Sequence, residues 1–354
     1  MPATRFLRRA LILNTHTFFM KKFFPHLEKN FSELLEACRG RNIAVVGHMR
    51  PDGDCVGSQF ALADILASAG AKKTVCLNQN GLPRLYENFA YGREFLSAED
   101  FDDPSFDIVT VDCADYARTN LKLRERYPSP LGCIDHHVTN NTVAKINAID
   151  PSASATAEII AGMAFDAGIK ISPDTANRLY MSIATDTRQF TTSSTRALTF
   201  EIAARLVESG ADSARVAMEL YQRETIGKLR LLCRFLDTLK LYENGRICVG
   251  VLEDGVFAQT GSEKADSDGL VDYARSIDGV QIALLLEQMP NGVKGSLRAK
   301  TPDLRVNEIA ESFGGGGHFA AAGFTAEGRT IADFYEQILS TVKKHLQKFD
   351  SIKS

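Results

Sequence analysis

The sequence predicts an α/β protein: an N-terminal, mostly parallel sheet with helices on both faces, and a smaller C-terminal α+β domain. Apolar runs rich in β-branched residues alternate with helical stretches up to about residue 205, as in βαβ units. Beyond about residue 210, pairs of strands flank Asn-Gly dipeptides, which are strong hairpin signals. A length of 354 residues also favours two cores over one.

The strands and helices of the first domain alternate along the chain. Four short apolar runs predict buried strands, and longer segments between and after them predict helices. The strands are NIAVVGH at 42–48, KKTVCLN at 72–78, FDIVTVDCAD at 106–115 and LGCIDHH at 131–137. The helices cover residues 55–70, 156–168, 175–187 and 197–210.

The second domain follows one long helical stretch, SARVAMELYQRETIGKLRLLCRFL at 213–236. Two strand pairs then turn at Asn244-Gly245 and at Asn291-Gly292, and a glycine run precedes a final helix from Ile331. We expect Met20 to be the natural start, with the first 19 residues a wrongly assigned or loosely attached extension. The predicted limits are 1–24 for the extension, 25–205 for the catalytic domain, 206–235 for a helical connector and 236–348 for the second domain.

Composition limits the classes of partner and the compartment. A net charge of -3 argues against a surface that binds long duplex nucleic acid, although local cations or metal ions can still hold a small anionic substrate. No apolar run approaches the length of a membrane span, so we expect no membrane association. The seven cysteines include no CxxC pair, which favours single buried thiols in a reducing, cytoplasmic setting.

Polar side chains follow the first predicted strand in the loop HMRPDGDCVGS. His48, Asp52 and Asp54 lie within seven residues, in a loop that Pro51 and Gly53 turn. In open α/β sheets the ligand crevice lies at the carboxyl ends of the strands, which is where this loop falls. The alternative is an Asp-rich loop that only caps the following helix.

Three further sites carry acidic residues or histidines at element ends. Asp112 ends an apolar strand, where an unpaired charge is costly, and its alternative role is an N-cap. Asp135, His136 and His137 end the fourth strand in the same way, and neighbouring side chains on a strand point to opposite faces. Asp186 ends an apolar helix, although helix C-termini favour cations, and a bound cation would remove that conflict.

Together these segments supply two histidines and four carboxylates as candidate metal ligands, with His137 and Asp135 beside them. Imidazole and carboxylate ligands suit first-row divalent ions such as Mn²⁺, Fe²⁺ or Zn²⁺, and Mg²⁺ is an alternative. Six candidates exceed the needs of one ion with an open position but suit a two-metal site. Such a site holds the attacking and leaving oxygens of a displacement at phosphorus. The six are His48, Asp52, Asp54, Asp112, His136 and Asp186.

The ordered motifs PDGDCVGS, DCAD, DHH and ATDT resemble those of the DHH phosphoesterases. The later segment FGGGGHFAAAGF resembles the glycine-rich motif of the DHH-associated domain, so the resemblance covers about residues 25–348. It implies an active site in the cleft between the two domains, where two metal ions activate a hydroxide.

The resemblance also implies individual roles in the first domain. His48 and Asp52 would hold one metal, and Asp112 would bridge both metals. Asp54, His136 and Asp186 would hold the other metal. His137 would face the substrate phosphate, and Asp135 would orient an imidazole from behind the ligands.

One residue departs from the family pattern. The family commonly continues Asp-Thr-Gly in the last metal motif, but Arg188 stands in the glycine's place. Arg188 is either a solvated surface arginine or an added phosphate contact, and the change puts the local loop geometry in doubt.

In the second domain, the segment from Gly314 to His318 begins with a run of glycines. Its successive backbone N–H groups could form a nest that binds an anion. A flexible linker is the alternative, although His318 and the following FAAAG favour a packed segment. Arg298 lies on a predicted strand and is either a phosphate partner or half of a structural ion pair. The resemblance assigns substrate binding to Arg298, Gly315, Gly316, Gly317 and His318.

The predicted function follows from the two-domain length and motif set. These resemble the subgroup that hydrolyses short oligoribonucleotides to nucleoside monophosphates and dephosphorylates 3′-phosphoadenosine 5′-phosphate. A soluble phosphodiesterase for cyclic di-AMP or linear di-adenylate is the alternative, and a non-catalytic nucleotide-binding protein is a lower one. A homodimer stays an open alternative for the assembly.

Overall fold

A computed structural model describes residues 22–142 and 144–353 of the chain. The chain forms two compact units, which divide between Gln222 and Arg223, and each is described here by itself. This division lies inside the proposed connector at 206–235, and the proposed domain limits stay predictions. The expected start at Met20 and the first 19 residues lie outside the described residues. In the described part of the chain, no helix is both long and apolar enough to cross a bilayer.

The first unit is built on a six-stranded parallel sheet, with strand order β3-β2-β1-β4-β5-β6. All four predicted strands are confirmed. Two strands were missed because they are only three and four residues long, too short for an apolar pattern to mark them. The strands are β1 Asn42–Val46, β2 Lys73–Asn78, β3 Phe95–Ser97, β4 Phe106–Val111, β5 Gly132–Asp135 and β6 Ile146–Ile149.

Helices cover both faces of this sheet, as predicted. Alternate residues of β1 point into different cores: Ile43 and Val45 join the larger one, and Ala44 and Val46 the smaller one on the other face. Leu123 closes the smaller core. The helices are α1 Glu28–Cys38, α2 Gly53–Ser68, α3 Leu121–Arg126, α4 Thr156–Asp166, α5 Pro173–Asp186, α6 Ala197–Glu208 and α7 Ser213–Tyr221.

Helices α2 and α5 pack closely against each other, and each carries a candidate metal ligand. Gly57 allows the approach, because a Cβ there would lie 2.6 Å from the Arg178 carbonyl oxygen and would overlap Ser182 Oγ. The buried Arg178 side chain binds Asp64 of α2 and the carbonyl oxygens of Phe89 and Ala90. This packing sets the separation of Asp54 and Asp186.

The second unit contains a six-stranded mixed sheet, with order β11-β12-β10-β9-β8-β7, in which only β8 and β9 pair in parallel among the described strands. Separate cores form on its two faces. Its strands are β7 Lys240–Tyr242, β8 Ile247–Leu252, β9 Ile282–Met289, β10 Gly292–Ala299, β11 Gly316–His318 and β12 Ala321–Glu327. Its helices are α8 Ile226–Asp237, α9 Val256–Thr260, α10 Leu270–Ser276, α11 Val306–Glu311 and α12 Ile331–Lys353.

Both predicted Asn-Gly turns join antiparallel strands, β7 with β8 and β9 with β10. Asn244 and Gly245 have φ of 56° and 85°, as a tight hairpin turn requires. The final helix begins at Ile331 as predicted. The single helix predicted at 213–236 is wrong, because it breaks into α7 and α8. Thr225 caps the second of these through the Lys228 N–H.

Replacing Gly57 with Ala is expected to destabilise the first unit by about 1–3 kcal/mol, because the new methyl group overpacks the contact between α2 and α5. Thermal unfolding followed by circular dichroism would measure the loss. The matched control, Ala67→Ser, adds one atom on the exposed side of the same helix and should leave the melting temperature unchanged. An unchanged melting temperature for Gly57→Ala would contradict the proposed close contact.

Candidate metal centre

The loop after β1 places three candidate ligands around the start of α2. Asp52 is the N-cap of this helix, and its carboxylate accepts from the Cys55 N–H at 3.0 Å. The capping alternative is therefore true of Asp52, and capping leaves its other lone pairs for a metal. His48 and Asp54 are buried, whereas Asp52 is exposed.

Asp54 lies inside α2 and also reaches the N-terminus of another helix. Its Oδ2 accepts from the Thr156 N–H at 2.7 Å, and its Oδ1 accepts from the Ala157 N–H at 3.1 Å. These two donors open α4, whose N-cap residue Ala155 supplies no side-chain cap. The positive end of α4 therefore points at this carboxylate.

Asp112 directly follows β4 and has a left-handed backbone, with φ of 51°. A non-glycine residue in this region carries strain of about 1–3 kcal/mol, and such strain concentrates at functional sites. The side chain is buried, and its Oδ1 accepts from Thr156 Oγ1 at 3.1 Å. The backbone turn thus holds a charged group at the carboxyl edge of the sheet.

His48, Asp52 and Asp112 form the first ligand group. His48 Nε2 lies 3.7 Å from Asp52 Oδ1 and 3.5 Å from Asp112 Oδ2. The second group forms around His136, whose Nε2 lies 3.7 Å from the other oxygen of Asp112, Oδ1. The two oxygens of Asp112 therefore face different imidazoles, as a bridging carboxylate would.

The second group is completed by Asp54 and Asp186. His136 Nε2 lies 4.0 Å from Asp54 Oδ2 and 3.6 Å from Asp186 Oδ2. Asp186 is the last residue of α5, where the sequence analysis places an anion in conflict with the helix dipole. All six predicted metal ligands are therefore brought together in the first unit, in the two predicted groups.

Both candidate ligand imidazoles are oriented through their other nitrogen. His48 Nδ1 donates to the Met49 carbonyl oxygen at 2.9 Å, and His136 Nδ1 donates to the Ala153 carbonyl oxygen at 3.2 Å. These bonds leave each Nε2 directed at the carboxylates. A backbone carbonyl on the far nitrogen is the usual support for a metal-bound histidine.

His137 is held differently from His136, although their ring centroids are only 4.8 Å apart. Its Nδ1 donates to Asp135 Oδ1 at 2.8 Å, and the Asn140 amide donates to Asp135 Oδ2 at 2.5 Å. The predicted strand at 131–137 is too long, because β5 ends at Asp135 and strand alternation does not apply to the two histidines beyond it. Both rings reach Asp112. The two rings differ instead in the partner of Nδ1, which is a backbone carbonyl for His136 and the Asp135 carboxylate for His137.

Proton affinities show how crowded the carboxylates are. Burial and the charges of Asp112 and Asp186 raise the pKa of Asp54 well above its usual range. Burial raises the pKa of Asp186 to about 7, with Asp112 and Asp52 adding to the effect against the opposing charge of His136. Burial alone would lower the pKa of His136, but Asp54, Asp186 and Asp112 outweigh it and raise that pKa to about 9.

These groups fit two divalent cations. Mutual repulsion among buried carboxylates is what a cation between them relieves. Imidazole Nε2 and carboxylate oxygens form a mixed donor set of the kind that first-row divalent ions prefer.

Several residues of the site were missed by the sequence reasoning. Thr156 bonds both Asp54 and Asp112 from the start of α4, and Asn140 fixes Asp135. Cys55 lies within 4.8 Å of ligand atoms of His48 and Asp112, inside the loop motif itself. No sequence signal marks Thr156, but Asn140 follows the histidine pair closely enough to have been considered.

Arg188 has φ of 45°, followed by left-handed values at Gln189 and Phe190. This explains why glycine suits the position in the family pattern, since glycine adopts such a backbone without strain. The side chain is exposed. Its role as a phosphate contact stays a prediction.

In the second unit, four of the five predicted substrate-binding residues lie on the sheet: Arg298 on β10, and Gly316, Gly317 and His318 on the edge strand β11. The register pairs Arg298 with Ala321, and Ala321 with His318, so Arg298 and His318 share one row on the same face. Arg298 Nε lies 3.9 Å from Asp272 Oδ2, so the ion-pair alternative also holds. Their role in substrate binding stays a prediction.

The prediction of an N–H nest is wrong. The Gly314 and Gly315 N–H groups donate to the Glu311 and Ala310 carbonyl oxygens at the end of α11. Gly316, Gly317 and His318 form β11, in which successive N–H groups point in opposite directions. The run is therefore a helix end and an edge strand. It is also a packed segment, as the sequence analysis favours, and no flexible linker.

Residues 42–183 match the model of the DHH family N-terminal domain, and residues 244–348 match the DHHA1 domain. The two matches follow in order and together cover more than half of the chain, which therefore belongs to the DHH family with a DHHA1 domain. It is 28% identical over 317 residues to the bifunctional oligoribonuclease and PAP phosphatase NrnA of Thermus thermophilus, covering 90% of this chain and 94% of that protein.

Two further comparisons bear on fold and function. The fold is similar to that of an exopolyphosphatase-related protein from Bacteroides fragilis, with a TM-score of 0.81 and 23% identity over 92% of this chain and 97% of that one. The chain is 24% identical over 324 residues to the cyclic-di-AMP phosphodiesterase PdeA of Listeria monocytogenes, covering 85% of this chain but 47% of that protein.

Metal binding is expected to release protons, because His136 and Asp186, with pKa values of about 9 and 7, hold protons near neutral pH in the metal-free protein. Mn²⁺ affinity should therefore rise as the pH rises through 7. Calorimetric titration in two buffers of different ionisation enthalpy would count the protons. Asp186→Asn should reduce that count, whereas Asp107→Asn, at the far end of β4, should not.

The same raised pKa values set the pH dependence of the metal-free fold. A group that binds protons more tightly when folded loses stabilising effect as the pH rises from its unfolded to its folded pKa. Stability should therefore fall from about pH 4 to about pH 9, and Mn²⁺ should reverse the fall. Stability that rises over this range without metal would contradict the proposed crowding.

Proposed function

We propose that this protein is a divalent-metal-dependent phosphoesterase that hydrolyses short oligoribonucleotides to nucleoside monophosphates and dephosphorylates 3′-phosphoadenosine 5′-phosphate. The observation that carries the chemistry is Asp112, whose two oxygens face His48 and His136 at 3.5 and 3.7 Å. This arrangement supports two adjacent metal positions, which suit displacement at phosphorus. The substrate class is supported by the name of the Thermus relative, with which the chain shares almost its full length.

The metal positions have named ligands on this chain. His48, Asp52 and Asp112 would hold one ion, and Asp112, Asp54, His136 and Asp186 the other. When bound, the two ions supply Lewis-acid stabilisation of phosphoryl oxygens and lower the pKa of an attacking water. We propose Mn²⁺, because the donor set of imidazole and carboxylate suits it.

His137 is positioned to act on the substrate. Its Nδ1 is occupied by Asp135, so its Nε2 is the nitrogen through which it can meet a phosphate oxygen. Burial alone would lower the pKa of His137, but the hydrogen bond that its ring donates to Asp135 and the charge of Asp112 outweigh burial and raise that pKa. The raised pKa favours a ring protonated at both nitrogens, whose Nε2–H would stabilise negative charge on the phosphoryl group.

A phosphodiesterase acting on cyclic di-AMP or linear di-adenylate is the second candidate, favoured by the similarity to the Listeria phosphodiesterase. The chain spans about half of that relative, which weakens the transfer. A non-catalytic nucleotide-binding role is less favoured, because a binding protein has no need for six metal ligands in two groups.

With Mn²⁺, purified protein should hydrolyse oligoribonucleotides from dinucleotide to pentanucleotide length, and also 3′-phosphoadenosine 5′-phosphate. It should act far more slowly on long RNA, cyclic di-AMP and pyrophosphate. Product release measured by chromatography, with Mn²⁺ or Mg²⁺, ranks these substrates. Turnover of cyclic di-AMP alone would favour the second candidate.

Asp112→Ala and His136→Ala should each reduce hydrolysis at least about 100-fold, because each removes a ligand rather than a supporting group. Asp107→Asn changes an acidic residue near the start of β4, the strand that Asp112 follows, and should retain activity. Unchanged short-RNA hydrolysis in Asp112→Ala would mean that the two-metal assignment is wrong.

Asp135→Asn should lower kcat by about 10- to 100-fold, because His137 loses the carboxylate that orients its ring. Metal content, measured by mass spectrometry of the purified variant, should stay the same, since Asp135 lies behind the ligands. Loss of metal together with activity would instead make Asp135 part of the metal site.

A further inference from the structure

Strand β10 of the second unit has one buried side and one partly exposed side. Val293 and Leu297 are buried in the core that α12 covers, whereas Lys294, Ser296 and Arg298 point to the other face and are partly exposed. We call this face, continued by Gly323 of β12 and by Gly316 and His318 of β11, the open sheet face. The register places Gly316 and Gly323 in the row of Ser296, and His318 in the row of Arg298.

The open sheet face has a cation at each end. Residues two apart on an antiparallel strand are separated by about 6.8 Å, so Lys294 lies about 14 Å from Arg298 along β10. Ser296 and two glycines occupy the row between them, so small groups line the centre. Glu327 is the acidic residue of this side of β12, and it lies one row beyond Lys294 at the outer limit.

The surroundings of Lys294 do not indicate that its role is to form a structural ion pair. The residue directly opposite on β9 is Glu287, which is buried. Glu287 Oε2 accepts from Ser267 Oγ at 3.0 Å, and within the described part of the chain its Oε1 has no hydrogen-bond partner. The lysine ammonium therefore does not bond this oxygen, although the register would allow it.

A single nucleoside needs only one end of this face. If the row of Arg298 and His318 holds one phosphate, a nucleotide chain that continues along β10 brings a later phosphodiester towards Lys294. A compact substrate such as 3′-phosphoadenosine 5′-phosphate has no group that continues in this way.

We propose that Lys294 binds a second phosphodiester of an oligoribonucleotide, and so favours short RNA chains over single nucleotides. This proposal rests on the proposed function. It assigns to the open sheet face a contact that determines substrate specificity. The contact is electrostatic and independent of base sequence.

Lys294→Gln tests the proposal, because it removes the charge and keeps most of the length of the side chain. KM for a tri- or tetraribonucleotide should rise about tenfold, as expected for loss of one charge-assisted bond. KM for 3′-phosphoadenosine 5′-phosphate should change less than about twofold, and kcat for both should be retained. The matched control is Lys344→Gln, an exposed lysine on α12, which packs on the opposite face.

A binding measurement separates this proposal from the proposed function. Calorimetry of the full chain in EDTA, with a triribonucleotide as the probe, needs no turnover. A plot of log affinity against log salt concentration has a negative slope. In the Lys294→Gln variant this slope should become shallower by about 0.7, as expected for the loss of one phosphate contact to a single strand.

Equal effects of Lys294→Gln on both substrates, or none, would overturn the Lys294 assignment even if the wild-type protein is active. Conversely, wild-type protein that binds the trinucleotide through Lys294 but hydrolyses neither substrate would overturn only the proposed function.

Discussion

The carboxylates of Asp54, Asp112 and Asp186 surround one imidazole, that of His136, and the first unit is organised around this concentration of charge. Asp54 and Asp112 are buried, and Asp186 is partly exposed. Protein interiors tolerate such charge only when cations or hydrogen-bond donors compensate it. The chain supplies part of the compensation itself, since α4 begins with two N–H groups and the Thr156 hydroxyl directed at Asp54 and Asp112. The raised pKa values of Asp54 and Asp186 show that this compensation is incomplete. The negative charge that stays uncompensated is the source of the affinity of this site for divalent ions.

The scaffold holds these groups together by unusual local structure rather than by loops alone. Asp112 turns at the end of β4 through a left-handed backbone, which directs its carboxylate between the two histidines. Gly57 allows α2 and α5 to approach closely enough for the ligands at their ends to meet. Strain and close packing of this kind persist only when surrounding structure over-determines them. The sheet edge and the paired helices provide that support.

Two of the candidate ligands could be singled out in the sequence because each interrupts a pattern. A charge at the end of an apolar strand, as at Asp112, or at the C-terminus of an apolar helix, as at Asp186, conflicts with its local surroundings and so marks itself. The hydrogen bonds behind the ligands were not predictable, because Thr156 and the Ala153 carbonyl come from segments that only the fold brings near. Short strands and the break between α7 and α8 were missed for a related reason. A segment of three or four residues is too short to show a hydrophobic periodicity. The strand before the histidine pair was predicted two residues too long, so alternation was applied past its end.

Net charge conceals how the two units differ. The overall value of -3 is nearly neutral, yet the first unit concentrates carboxylates at its sheet edge, and the second presents Lys294 and Arg298 on an open strand face. A phosphate substrate is repelled by the first arrangement until metal ions reverse its sign, whereas the second attracts it without any ion. Under the proposed function, substrate attraction and bond cleavage depend on different groups in different units. The preference for substrate length would then be set in the second unit, and bond cleavage by the candidate metal ligands of the first.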